Sequence, residues 1–245
     1  MIYLYEDSFE HLLNLINYLL KNKIKPSNIK NEYYIPNLLE KTYCPKLDFD
    51  DKLSDRIISK IGYNAFMTIC HVYLSSNENK EILIYNFLLN SLKYRNKIIY
   101  MRNLDCVTEC LKISKYVTGE AHRLKGFVRF RELNNNILYA EIEPENNILL
   151  ILSNHFKNRL KNEYWIIKDN RRKLISLYDK KRFYIVPSDN FDINLKNEED
   201  YYEYMWKSFY KTIGIKERKN ERCRMNFMPK KYWKYIVEVK DEKSN

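Results

Sequence analysis

Lys216, Arg218, Lys219, Arg222, Arg224, Lys230, Lys231 and Lys234 are interleaved with Phe227, Tyr232, Trp233 and Tyr235 near the end of this chain. Only Glu217 and Glu221 oppose the charge. Cations hold phosphates, and flat rings stack on bases or on guanidinium planes. A solvated helix face needs only the charges, so the combination points to a nucleic-acid contact.

A second strip has the same chemistry. Lys125–Leu133 and Ile137–Glu143 alternate with a period of two about a turn of three asparagines, which predicts a β-hairpin. The pairing that matches faces puts Arg131 opposite Tyr139, Arg129 opposite Glu141 and Val128 opposite Ile142. Alternate strand residues lie about 6.6 Å apart on one side. One face then carries Lys125, Phe127, Arg129, Arg131 and Tyr139, and the buried one Val128, Phe130, Ala140 and Ile142. His122 and Arg123 extend the positive field. The bland reading pairs Arg129 with Glu141 across the strands and leaves the face merely solvated.

Acid–base chemistry has three candidates: His122, at an expected helix-to-strand junction with Glu120 or Glu132 for a partner, His155 and Asp169. Each has a structural alternative. His155 falls on a mostly apolar helix beside Arg159 and fits a packed core histidine. Asp169, near Trp165, Arg171 and Arg172, fits an Asx turn or an arginine pair. Cys106 and Cys110, one helical turn apart, would be half a zinc site without the other half. No phosphate-loop, dinucleotide or nucleophile-elbow motif occurs, and with 4 glycines there is little material for one. No metal and no cofactor are expected.

These groups need a scaffold. The 245 residues, 45% hydrophobic and 15% aromatic, can bury a real core and exclude a disordered chain. Expected elements are a strand at Ile2–Tyr5, a helix from Phe9 capped by Asp7 or Ser8, an irregular stretch over Lys23–Phe49, and helices over Asp51–Leu74, Glu78–Tyr94 and Asn103–Arg123. The hairpin follows, then a helix at Ile148–Leu160 and strands at Trp165–Lys168, Lys173–Tyr178 and Arg182–Val186. A last helix, Asp200–Ile213, leads into the basic tail. Helices first and strands later predict an α+β fold, with a helical lobe packed on a mainly antiparallel sheet. One compact domain over 1–245 is expected: a helical lobe at 1–100, a helix plus strands at 101–190, and a helix with the tail at 191–245.

A net charge of +11 favours an anionic partner. Richness in Lys, Asn, Ile and Tyr also suits AT-rich coding, so the arginines weigh more than the lysines. Five scattered cysteines and a start without a secretion signal predict reduced thiols and a cytoplasmic location. No apolar run is long enough to cross a bilayer, so no membrane partner is expected.

Three segments, GEAHRLKGFVRFRE (Gly119–Glu132), HFKNRLKNEYWIIKDNRR (His155–Arg172) and ERKNERCRMNFMPKKYWKYIVE (Glu217–Glu238), with the start YLYEDSFEHLL, resemble the bacterial family described as DNA metabolism or DNA repair proteins, a domain of otherwise unknown function. The resemblance spans nearly the whole chain. It departs at Glu10–His11, where members have a glycine.

The resemblance implies a role beside a radical SAM protein that modifies or repairs DNA. Some members carry a C-terminal uracil-DNA glycosylase domain. This chain is expected to end before such a domain and lacks glycosylase motifs, so that activity is not carried over. The family has no established catalytic residues.

The expected function is thus a DNA-repair or DNA-metabolism accessory protein that binds DNA, single-stranded or distorted DNA best, and works with a radical SAM partner. Its contact residues would be Arg123, Lys125, Phe127, Arg129, Arg131, Arg159, Arg172, Arg222, Arg224, Lys230, Lys231, Tyr232 and Trp233. The rivals are a nuclease- or lyase-type enzyme using His122, His155 and a carboxylate, and a protein-interaction scaffold.

Overall fold

The structure is a computed structural model that describes residues 1–133, 136–188, 220–237 and 239. The expected helix at 200–213, and Lys216, Arg218 and Lys219, lie outside them. The fold is α+β. The chain divides into two compact units, residues 1–118 and 119–245.

The first unit begins with β1 (Ile2–Tyr5) and α1 (Phe9–Lys21). Ser8 caps α1: its hydroxyl accepts the His11 N–H at 3.1 Å, one of the four donors a helix start leaves unpaired. Leu12, Leu13, Leu15, Ile16 and Leu19 on α1 are buried, and each such side chain stabilises the unit by about 1.5–3 kcal/mol. The stretch expected to be irregular contains β2 (Asn28–Asn31) and β3 (Thr42–Tyr43), both parallel to β1 in the order β2-β1-β3. Strands this short, without alternation, leave no periodic trace in sequence.

The helical pattern over 51–74 is two helices, α2 (Leu53–Ile61) and α3 (Tyr63–Leu74). Gly62 divides them at φ +83°, a conformation that favours glycine. Then come α4 (Lys80–Tyr94), a 3-10 turn (Arg95–Tyr100) and α5 (Asp105–Phe127), within which the division between the units falls.

The second unit is built on a five-stranded mixed sheet in the order β4-β5-β6-β7-β8. Its strands are β4 (Arg131–Leu133), β5 (Ile137–Ile142), β6 (Tyr164–Asp169), β7 (Leu174–Tyr178) and β8 (Phe183–Pro187). The sheet is mainly antiparallel, as expected, with one parallel pair. β5 and β6 run parallel, because α6 (Leu149–Arg159) carries the chain back between them.

Two findings show how the sheet is held. The Trp165 and Tyr178 rings stack at 5.0 Å, and both are buried. The Ser153 hydroxyl on α6 bonds the Ser176 hydroxyl on β7 at 2.7 Å, so two buried polar groups satisfy each other.

The hairpin does need a correction. Arg131 does pair with Tyr139, but Lys125–Phe127 is the last turn of α5, and the β4 ladder has only three residues. The Val128 N–H still bonds the Leu124 carbonyl at 3.0 Å, so helical bonding persists where a strand was expected. Arg129–Glu141 and Val128–Ile142 are therefore not ladder pairs, and the cationic row from Lys125 to Arg131 does not form. α7 (Glu221–Phe227), capped by the Asn220 side chain at the Cys223 N–H, and a 3-10 turn (Lys230–Tyr235) follow. Among the described residues, no helix is long and apolar enough to cross a membrane.

Candidate nucleic-acid interface

Glu120 lies on α5, fully buried. Its carboxylate accepts the Glu145 N–H at 3.0 Å, the Asn146 N–H at 2.9 Å, the Asn146 side-chain amide at 2.6 Å and the Tyr232 hydroxyl at 2.7 Å. Lys231 Nζ stands 3.7 Å away. Burial alone would raise the Glu120 pKa, but the two backbone N–H groups, the phenol and the amide outweigh it and hold the pKa below the usual carboxylate value. The same contact, with burial, raises the Tyr232 phenol.

Glu141, Glu143 and Glu145 recur every second residue from the end of β5 onward; Glu143 and Glu145 meet the 3-10 turn directly, and Glu141 reaches it through Asn170. Lys231 pairs with Glu145 at 3.0 Å, and Lys234 pairs with Glu143. The Tyr235 hydroxyl donates to Glu143 at 2.9 Å. Asn170 donates to Glu141 at 3.0 Å and to the Tyr235 oxygen at 3.3 Å, and the Tyr139 hydroxyl donates to Glu141 at 2.7 Å.

This network corrects the reading of the tail. Tyr232 and Trp233 are 1% and 3% exposed, so neither ring can stack on a base in this conformation. The Trp233 indole donates to the Met228 carbonyl at 2.8 Å, and the Arg224 guanidinium lies 4.6 Å over its ring. Phe127, half-buried, packs its ring against Tyr232 at 5.9 Å. Lys231 and Lys234 answer carboxylates of the same unit. Arg222 and Lys230 remain exposed, and Phe227 is 73% exposed.

Of the catalytic candidates, Asp169 holds a turn. The Asp169 carboxylate accepts the N–H groups of Arg171 at 2.9 Å and Arg172 at 3.2 Å, an Asx turn. Its other oxygen meets the Arg172 guanidinium at 3.2 Å. Arg172 also donates to the carbonyls of Pro144 and Glu145, so it clamps the loop that serves Glu120.

His122 lies inside α5, exposed, instead of at a helix end. His155 packs edge-on against Phe156 at 5.0 Å, and its Nε2 is buried without a hydrogen-bond partner. Burial, then Lys125 and Arg159, lower its pKa. Among the described residues, no hydrogen bond or ion pair joins His122, His155 and Asp169, and no group of three His, Cys, Asp or Glu could hold a metal ion.

Arg159 is exposed at the end of α6. Arg129 turns back on its own chain, donating to the Gly126 carbonyl at 2.7 Å. Arg123, half-buried on α5, has its Nε buried with no hydrogen-bond partner.

An exposed cluster that sequence reading missed stands at the β7–β8 turn. The Asp179 carboxylate accepts the N–H groups of Lys181 at 2.9 Å and Arg182 at 2.7 Å, and Lys180 sits at φ +71°. The carboxylate thus holds the turn through backbone N–H groups and also feels the Arg182 charge, and Lys180, Lys181 and Arg182 are exposed. Lys180 Nζ lies 4.3 Å from the Tyr164 ring centre, and the Arg182 guanidinium lies 5.4 Å from that of Tyr184. Both tyrosines are exposed. The run Tyr178-Asp-Lys-Lys-Arg-Phe-Tyr184 carries the signal in sequence, but its turn composition does not say that its cations stand beside exposed rings.

No curated protein and no solved structure matches the chain. A family model described as a domain of unknown function (DUF4130) matches residues 78–238, more than half of the chain. Its span includes the Glu120 network, the β7–β8 turn and α7. The chain belongs to this family, the domain of unknown function DUF4130.

Proposed function

We propose that this protein is an accessory factor of DNA repair or DNA metabolism that binds nucleic acid and works beside a radical SAM partner. The observation that carries nucleic-acid binding is the exposed cation-on-tyrosine cluster of Tyr164, Lys180, Lys181, Arg182 and Tyr184. Its cations can neutralise phosphates, and its rings can take unstacked bases, which single-stranded or distorted DNA offers more readily than a regular duplex. Arg222, Lys230 and Phe227 add exposed groups of the same kind. The radical SAM partnership and the DNA-repair context rest on the resemblance of the three sequence segments.

The test is binding of labelled single-stranded and duplex DNA at two salt concentrations, about 50 and 200 mM. Strong salt dependence and a preference for the single strand are expected. Affinity that stays flat with salt would remove phosphate neutralisation as the mechanism. Co-purification with a co-expressed radical SAM neighbour tests the partnership separately.

A further inference from the structure

In the first unit, α1, α2, α4 and the 3-10 turn after α4 line a cavity of about 620 Å³. That size falls within the range of small-molecule sites, roughly 300–1,000 Å³. Its walls are aliphatic: Leu13, Ile16, Leu53, Ile57 and Leu88 line it, with no aromatic ring among its residues. A nucleobase or other flat ring would find no stacking partner there, whereas a flexible alkyl chain would find matching surface.

The rim is cationic. Lys21, Lys60 and Arg95 stand on it, and none has an ion-pair partner among the described residues. Among the lining residues the one acid, Asp50, is paired with Arg56, so those two cancel; Asp48 and Asp51 stand in the adjoining depression beside Lys21. Lys21 and Lys60 lie in the last turns of α1 and α2, and Arg95 caps the end of α4. The C-terminal end of a helix carries roughly half a negative charge, so each of these full cations outweighs the helix end it stands at.

Complementing helix ends would account for the two lysines. It does not account for Arg95, whose backbone sits at φ +48°, ψ −130°, where a side chain is strained and glycine is favoured. A strained cation at the mouth of an apolar cavity is placed to meet something.

We propose that this cavity binds an amphipathic anion, an aliphatic chain ending in a carboxylate or a phosphate monoester, with the chain against the leucine and isoleucine walls and the head at Arg95, Lys21 and Lys60. This site is independent of the nucleic-acid reading.

The experiment is calorimetric titration of the full chain with dodecanoate and dodecyl phosphate, each below its micelle threshold, and with dodecanol below its solubility limit. At least one anionic probe saturates a single site, and dodecanol binds about tenfold more weakly or worse, a difference of about 1.4 kcal/mol. Whichever anion binds more tightly identifies the head group. Arg95→Gly weakens the anions about tenfold while raising the melting temperature, because glycine relieves the positive φ. Leu92→Glu, at an exposed rim position, puts an acid beside the head and also weakens them. Failure of both anions to saturate, equal binding of dodecanol, or unchanged anion affinity in a folded Arg95→Gly protein overturns the proposal.

Discussion

The Tyr232 hydroxyl donates to the buried carboxylate of Glu120 at 2.7 Å, across 112 residues of sequence. This bond ties the 3-10 turn of the tail to α5, and it sets what the tail is free to do. A segment whose cations and rings suit DNA has its central rings in a core and two of its lysines on carboxylates.

Removing the phenol tests that tie. Tyr232→Phe keeps the ring and leaves a buried carboxylate oxygen one donor short, which costs about 1–3 kcal/mol of stability. Trp233→Ala removes more, about 3–5 kcal/mol, because it opens a hole and frees the Met228 carbonyl. Urea unfolding of both variants measures the two losses. A Tyr232→Phe protein as stable as the parent would mean that the bond does not hold the tail.

Glu120 also makes stability depend on pH. Its folded pKa lies below the ordinary value of 4.5. Its contribution is therefore complete above the unfolded value and is lost as pH falls through the lower folded one. Stability of the parent should decline below about pH 4.5, and Glu120→Gln should lose part of that decline while being less stable at neutral pH. Denaturant titrations at neutral and acidic pH compare the slopes.

The two sets of cations should behave differently. Replacing Lys180, Lys181 and Arg182 together by alanine should weaken DNA binding and reduce the salt slope by about 2 for a single strand, with little change in stability. Replacing Lys231 and Lys234 should leave the slope unchanged and cost under about 1 kcal/mol per pair, since these lysines face internal carboxylates at a half-exposed surface. DNA titrations at several salt concentrations, with unfolding curves alongside, separate the sets. The opposite assignment would mean that the tail leaves its docked position to bind.

Thiol reactivity gives an independent check on packing. Burial, with Cys106 and Glu109 nearby, pushes the buried Cys110 thiol up to about 12, and burial beside Glu10 pushes Cys70 up to about 12. Cys44 and Cys223 are exposed. With a thiol reagent at neutral pH, Cys44 and Cys223 should react first and Cys70 and Cys110 only on unfolding. Rapid labelling of Cys110 in the native protein would contradict the packing of α5 against the Leu83 carbonyl.

Much was legible where the signal is local. A cap at Asp7 or Ser8, the period of α1 and α4, the strands β5 to β8 and the Arg131–Tyr139 register follow from spacing and turn composition, which act over a few residues. The bland reading of Asp169 as an Asx turn with an arginine partner was also within reach, because both partners are close in sequence. The parallel β5–β6 pair was not, because nothing in a strand's own pattern states its neighbour's direction. Nor was the helical end of α5, where Lys125–Phe127 alternates like a strand yet continues the bonding of the turn before it.

The sequence by itself determined which chemical groups this protein owns: an excess of cations, aromatic rings in plenty, and turns that can present them. The tertiary structure decided which of them face water. Lys231 and Lys180 look alike in composition, but one lies against Glu120 and Glu145, from distant parts of the chain, and the other stands beside an exposed ring. Partners that far apart in sequence meet only when the sheet and α5 are assembled, so the charge a residue shows to solvent is a property of the fold.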